Sequence, residues 1–413
     1  MKPHIKYGMA KRIYRKRQLK YFISLTILLF GVSFEAHAFR RYVEIGLDLG
    51  AGFANNFIGL SDIFQQNIVI DLSELNDRIN RNGIELNADL AAKTFININP
   101  RERWGFGFSS GITGGIYGNI PKSLINFIAE GNINQRSFDG EFAVSGGVFW
   151  DTTISFHSQV KDKVRIRLAP SLFIPLIYIP RSSFNYFVNT DNSLELGADG
   201  KIVVYSFIPF EQNESQNANQ RDLIFDTAGN AYGIDLSFNI EYGVHRIVDL
   251  GFNIINVPLI PATLDYGMEF TLKPIDIAID INREDIDLQL ETDTNYFDGV
   301  SQKIVRPLRF DIYASITPLS YVRIKPLLGI TLLTPAKTPY LNATVDLELF
   351  TKRFFLFYIS TGYEERLWRH KTGFSLDLRV FELILEAGLS SQDLAGSLNL
   401  RGFSFATGMR FGF

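Results

Sequence analysis

The chain contains no cysteine, and its 413 residues include only five histidines. The first absence excludes disulfides, thiolate metal sites, a cysteine nucleophile and a lipid-modified N-terminal cysteine. The second leaves little room for imidazole chemistry. His4 and His37 fall within the first 38 residues, and His157, His245 and His370 share no metal-ligand spacing. There is no HExxH motif, no phosphate-binding glycine loop and no nucleophile set beside a base, so no enzymatic activity, metal or cofactor is expected. Beyond residue 34 no run of about 18 apolar residues occurs, which excludes a spanning helix there. A basic excess is also missing, since 41 Lys and Arg face 44 Asp and Glu.

The N-terminus reads as a targeting segment over residues 1–38. Eight bases (Lys2, Lys6, Lys11, Arg12, Arg15, Lys16, Arg17, Lys20) precede the apolar run Tyr21 to Phe34, and Ala36-His37-Ala38 supplies a small-x-small cleavage site at Ala36 and Ala38. Met9 is an alternative start, and an uncut signal anchor is the competing reading. Cleavage after Ala38 removes eight bases and one acid, leaving residues 39–413 with a net charge of about −10. That sign argues against nucleic acid as a partner.

What the chain does have is aromatic residues at 14%, 33 glycines, and long stretches of strict alternation. Val43, Ile45, Leu47, Leu49, Ala51 and Phe53 alternate with Glu44, Gly46, Asp48 and Gly50. Tyr232 to Val244, Leu341 to Leu349 and Phe374 to Val380 repeat the pattern, each with one wholly apolar face. Period two with one apolar face is a half-buried strand. Ten to twelve such residues match a tilted crossing of a hydrocarbon layer, whereas the strands of a soluble sandwich, the competing fold, are about half as long. The fold class expected is therefore all-β, a transmembrane antiparallel β-barrel.

Strand number follows from the breaks. Short polar breaks fall at Asn99–Arg103, Gln159–Lys163, His245–Ile247, Thr317–Ser320, Thr351–Arg353 and around Arg379–Glu382. Long ones fall at about 55–83, 119–137, 179–230 and 282–303, with shorter ones at Thr334–Pro339, Trp368–Lys371 and Ser391–Ser397. Six short periplasmic turns with both termini on that side imply about 14 strands, within a range of 12–16. Leu194–Phe210 can be read as a hairpin in the third long loop instead of wall. The chain closes on Gly408-Met409-Arg410-Phe411-Gly412-Phe413. Gly408, Phe411 and the terminal Phe413 resemble the signal read by the barrel-assembly machinery, which places the protein in the outer membrane of a diderm bacterium.

Three features are candidates for ligand chemistry. Charges expected to face the lumen include the basic subset Arg165, Arg167, Arg309, Arg323 and Lys325, which either pair with lumenal acids or form a carboxylate-binding ladder. The outer loops carry apolar, helix-like patches around Phe64 and around Leu124, Phe127 and Ile128; these bury one another or offer a landing site for an amphipathic ligand. Pro170 and Pro175 lie in one strand and Pro258 and Pro261 in another. Proline cannot donate to a ladder, so each pair marks a bulge or a gap in the wall.

Three segments, Asn55 to Phe64, Pro170 to Pro175, and Asp249 to Phe252 running on to Pro258 to Leu264, resemble the long-chain fatty acid transporter family of outer-membrane barrels, and more closely its spirochaete (treponemal) members. The resemblance implies passive carriage of hydrophobic molecules from outer-loop pockets into the barrel and out through a side opening. Better-known members begin with a plug segment before the first strand. Here alternation starts at about Arg41, so either the plug is missing or loop 55–83 or 179–230 folds inward. Expected partners are outer-membrane lipid and a hydrophobic small molecule, with the chain acting as a monomer. A small-solute porin and a host-contact surface protein share the same scaffold and are the alternatives.

Overall fold

A computed structural model describes residues 41–57, 79, 83–101, 103–130, 137–160, 163–189, 194–210, 231–272, 277–279, 292–299, 301–351, 354–392, 394–398 and 401–413. The expected signal segment and Phe64 lie outside them.

The alternating segments form strands throughout. In chain order the first five are β1 (Val43–Asn55), β2 (Ile84–Arg101), β3 (Trp104–Ile120), β4 (Ser137–Val160) and β5 (Val164–Asn189). Then come β6 (Leu194–Ser206), β7 (Gly233–His245), β8 (Val248–Ile260), β9 (Ala262–Leu264), β10 (Tyr266–Leu272), β11 (Ile277–Ile279), β12 (Thr292–Phe297) and β13 (Gln302–Ile304). The last seven are β14 (Leu308–Leu319), β15 (Val322–Leu332), β16 (Tyr340–Thr351), β17 (Phe355–Glu364), β18 (Leu367–Asp377), β19 (Phe381–Ser391) and β20 (Gly402–Gly412). Among the described residues two helices interrupt the long connections, α1 (Lys122–Glu130) and α2 (Leu394–Leu398).

Fourteen of these strands close into one antiparallel barrel. Each pairs with its sequence neighbour through β1 to β5, β5 then pairs with β7, β7 with β8, β8 with β14, and β14 to β20 follow in order. The ring shuts where Glu44 to Ala54 of β1 pair with Gly412 to Gly402 of β20. Closure leaves no unpaired edge, which is what lets a sheet sit in hydrocarbon. The six short breaks all lie on one rim and the long connections on the other. One connection is shorter than expected: the chain turns at Glu365 and Arg366, whose φ angles of 52° and 67° make a two-residue hairpin turn, not at Trp368–Lys371. Two left-handed residues give the turn a twist that matches its strands. His370 accordingly lies within β18 and not in a loop.

The alternation sorts side chains between lipid and lumen. Ile312, Leu328 and Leu341, at 64%, 63% and 63% exposed, belong to an apolar outer band that also includes Phe106, Phe108, Trp150 and Ile154. A band of this kind, with aromatic residues toward its ends, is the surface a barrel presents to lipid. Inside, glycine makes room for large lumenal groups. At Gly251 a Cβ would stand within the ring of Tyr313, whose hydroxyl bonds to Asn239 and Glu241.

Beyond the long-loop rim, β4 and β5 continue as a pair, Ser137 to Val148 against Asn189 to Ile177. Strand β6 adds to the extension of β5, and β10, β11 and β12 extend that sheet further. Leu194–Ser206 is thus part of this outer sheet and not of the wall. The prolines sit where the wall ladder is irregular. Pro175 falls at a register shift between β4 and β5, and Pro258 at one between β7 and β8, next to Asn256 at φ 61°. Around Pro170 the β4–β5 pairing skips from Thr153 and Ser171 to Phe156 and Leu168. Pro261 separates β8 from β9.

The face assignment has a direct test. Leu328→Arg, on the lipid face, should cost about 2–4 kcal/mol. Asp346→Asn, which keeps an acceptor for the Ser360 hydroxyl at 2.6 Å, should cost less than about 1 kcal/mol. Urea midpoints of the folded, heat-modifiable gel band would report both, and the opposite ordering would overturn the inside–outside assignment.

Candidate functional site

The barrel interior divides into an apolar mouth and a polar lumen. At the mouth, Ala262, Leu264 and Ile304 are 0–1% exposed and pack against Phe149, Phe173 and Ile174 of the β4–β5 wall. Leu176, Tyr178, Tyr205 and Phe207 surround this cluster. Ala262, Leu264 and Ile304 come from β9 and β13, which form a separate two-stranded sheet. The connection between β8 and β14 therefore folds back against the inner face of the wall. That segment is an inward-folding element, and Tyr205 and Phe207 from 179–230 pack against it, while most of 55–83 and all of 211–230 lie outside the described residues.

Directly below the cluster lies a buried charge network built on Arg306. Its Nε and Nη2 donate to the two oxygens of Asp235 at 2.7 and 2.8 Å, and Nη1 donates to Asp151 Oδ2 at 2.7 Å. Nη2 also donates to Ser171 Oγ at 2.8 Å, and the guanidinium stands 5.0 Å from the Phe173 ring centre. Bidentate geometry is the strongest pairing open to a guanidinium and a carboxylate. Arg306 and Asp235 are 7% and 1% exposed in their side chains, so water competes little for them. Asp151 Oδ1 is buried without a hydrogen bond, with Lys93 Nζ 3.8 Å away.

The lumen beyond is lined by many charged and polar side chains. A cavity of about 1010 Å³ is lined by Asp89, Lys93, Asn239, Asn253 and Arg369 among others, and by Arg306 itself. A second, of about 470 Å³, is lined by Asp346, Glu348, Tyr358, Glu386 and Arg410. Glu364 and Lys371 line both.

The residues singled out from sequence fall into different places. Arg165 pairs with Glu241 at 2.8 Å and Asp249 at 3.1 Å, and Arg309 pairs with Asp311 at 2.7 Å and Glu364 at 3.0 Å. Arg323 pairs with Glu348 at 3.1 Å, and Lys325 reaches the other oxygen of the same carboxylate. Four of the five bases are thus satisfied within the wall, and no single ladder forms. Arg167 alone of the five has no ion pair among the described residues, and it lines the larger cavity. Leu124 and Phe127 of α1 pack against Phe138, Tyr186 and Val188, while Ile125 packs on Ile79 and Ile84. Only Ile128, at 53%, remains exposed. Phe411 stacks on Phe381 with ring centres 5.0 Å apart, Gly408 stands against Asp48 on the lumen side, and the Phe413 carbonyl accepts from the backbone of Tyr42 and Val43.

Arg306 escaped the sequence reading because it lies in a connection that no periodicity marks, whereas Asp151 was overlooked although alternation with Trp150, Ile154 and Phe156 places it on the inner face. The usable signal was a lone base in an apolar run, Ile304-Val305-Arg306-Pro307-Leu308, directly before a strand. His370 has a different role from a catalytic base. Its ring nitrogens meet Thr361 Oγ1 at 2.7 Å and Ser397 Oγ at 2.9 Å, but Ser397 is fully buried and bonds the Leu394 carbonyl at 2.6 Å. This contact ties α2 to β18. Among the described residues no group of three or more acids and histidines is arranged to hold a metal.

No family model matches the sequence, and no curated protein does. Solved structures similar to it include the Ralstonia pickettii toluene transporter TbuX (TM-score 0.48, 9% identity, 91% of this chain and 90% of that one). Others are the P. putida toluene transporter TodX (0.47, 9%, 90% and 89%) and a Pseudomonas aeruginosa FadL homologue (0.45, 10%, 90% and 90%). At this level of similarity they assign neither a substrate nor a lineage, and they lend the spirochaete branch no support.

The contrast between buried and rim-side charge pairs is measurable. Asp235→Ala leaves the Arg306 guanidinium short of its main counter-ion and should cost about 3–5 kcal/mol. Arg323→Ala removes a pair whose base is 37% exposed and should cost about 1 kcal/mol or less. The urea midpoints of the two variants, compared with the parent barrel, would show this ordering or refute it.

Proposed function

We propose that the chain is an integral outer-membrane channel of a diderm bacterium that carries hydrophobic molecules, such as long-chain fatty acids, by passive diffusion. The short-turn rim then faces the periplasm and the long-loop rim the exterior. The observation that carries this reading is the apolar cluster inside the mouth, set against a wall whose ladder is interrupted at Pro170, Pro175 and Pro258. An apolar solute gains roughly 25 cal/mol for each Å² it removes from water, so such a cluster attracts it. The charged lumen beyond offers it no comparable gain. Sideways release into lipid, at the irregular β4–β5 or β7–β8 ladder, is the downhill route for such a molecule.

Exposed apolar side chains near the long-loop rim, Ile128, Leu259, Ile260 and Leu333, supply contacts for a hydrophobic solute arriving from outside. The C-terminal Gly408, Phe411 and Phe413 serve the assembly machinery, the outer band contacts lipid, and the barrel acts as a monomer. One observation favours a second reading. The cavity of about 1010 Å³, with many charged side chains on its lining and Arg167 without an ion pair among the described residues, suits a small-solute porin.

The test is uptake of a labelled long-chain fatty acid by a diderm host lacking its own transporter, with and without this protein. Saturable uptake that falls several-fold in the Pro170→Ala, Pro258→Ala double variant, which restores two backbone donors to the wall, is the expected result. Absence of uptake from folded, surface-exposed protein, together with ionic conductance in planar bilayers, would replace the proposal with the porin.

A further inference from the structure

We infer that the small sheet of β9 and β13 is the plug of this barrel and that Arg306 is the latch that holds it shut. The inference deepens the proposed function, and its lateral-release element rests on that reading.

Three observations lead here. First, the plug is part of a connection and not of the wall. Its three buried apolar side chains reach the wall only through side-chain packing, while its backbone ladder is internal, Gln302 to Ile304 against Leu264 to Ala262. Second, the plug has one strong tether on the lumen side. Two residues after β13, Arg306 bonds at once to Asp151 on β4, Ser171 on β5 and Asp235 on β7. Third, those three strands are neighbours, and proline disturbs the ladder on both flanks of the tether, between β4 and β5 and between β7 and β8, while β5 and β7 pair without a break. Ser171 adjoins Pro170, and Asp235 is the cross-strand partner of Pro258. One guanidinium therefore clamps, from inside, a segment of wall whose backbone pairing is irregular on both flanks.

Two consequences follow. A solute can enter the packed cluster itself only when the plug moves, and the plug cannot move far while Arg306 is held by two carboxylates. Release of the latch also removes the side-chain link between β5 and β7 nearest the mouth, leaving the Arg165–Glu241 pair toward the short-turn rim, so mouth and adjoining wall give way together. A buried pair of this kind sets two discrete states, because a guanidinium half out of its carboxylates is less stable than one fully in or fully hydrated.

Planar-bilayer conductance of the full barrel tests the latch separately from hydrophobic uptake. Wild-type protein should be nearly silent. Arg306→Ala and the Asp151→Asn, Asp235→Asn pair should conduct several-fold more, with Arg306→Lys between them, because an ammonium keeps the charge and loses the fork. Heat-modifiable mobility establishes that each variant is folded. Should those variants not fold, Ser171→Ala, which removes the hydrogen bonds from Arg306 and Thr153 and leaves both ion pairs, should raise the frequency of opening. A folded Arg306→Ala barrel as silent as wild type, or, where it does not fold, a Ser171→Ala barrel with unchanged openings, overturns the latch. Raised conductance in the variants with no fatty acid uptake by wild type would keep the latch and discard the hydrophobic-channel reading. Uptake by wild type without raised conductance in the variants would do the reverse.

Discussion

Everything inside this molecule depends on the pairing of its first strand with its last. A sheet edge in hydrocarbon would leave a row of N–H and C=O groups without partners, each costing several kcal/mol. The β1–β20 ladder removes that edge. At the short-turn rim the seam is reinforced by Arg41, which is bonded to Glu44 on β1 at 2.9 Å, to Asp377 at 2.7 Å and to Glu382 on β19 at 3.0 Å. The backbone amides of Tyr42 and Val43 meanwhile meet the carbonyl of Phe413. The first described strand is thereby tied to β19 by charge and to β20 by its backbone, and the final aromatic strand contributes to closure as well as to the outer band.

Once closed, the barrel has an inside where charges are shielded from lipid but not abundantly hydrated. Its carboxylates and bases respond by pairing across strands. Arg309 bridges β14 to Glu364 on β17, Arg165 bridges β5 to Glu241 on β7, and Arg323 with Lys325 shares Glu348 on β16. These pairs brace the wall. They also spend most of the positive charge that a carboxylate-binding lumen would require, leaving Arg167 as the exception. The apolar mouth and polar lumen are therefore distinct environments, and the Arg306 network is the boundary between them. Selectivity in such an arrangement comes from which environment a solute can enter, and the plug controls passage from one to the other.

Much of the architecture was legible in the residues themselves. Strict alternation, as in Val43 to Phe53 or Leu341 to Leu349, places one face in lipid and one in the lumen by local stereochemistry alone, because successive side chains of a strand point to opposite sides. Six polar breaks and seven longer ones give fourteen strands by counting. The residue type at a break says less about which residue turns, which is why the hairpin at Glu365 and Arg366 was placed too late: Trp368 to Lys371 is polar enough to pass for a loop, and only the left-handed backbone angles reveal the true corner.

The sequence by itself determined the class of fold, the strand number and the face each wall residue occupies, since all three follow from periodicities within a few residues. Partners were decided only by the tertiary structure. Arg306 meets Asp151 and Asp235 from 155 and 71 residues away, across strands brought together by closure of the ring. Leu124 and Phe127 become buried because α1 folds onto a sheet made by the extensions of β4 and β5, which no local pattern announces. Nor could the chain order show that the plug would come from the connection between β8 and β14. Periodicity is a property of neighbours along the chain, whereas a buried ion pair, a plug and a latch are properties of residues that meet only after the barrel has closed.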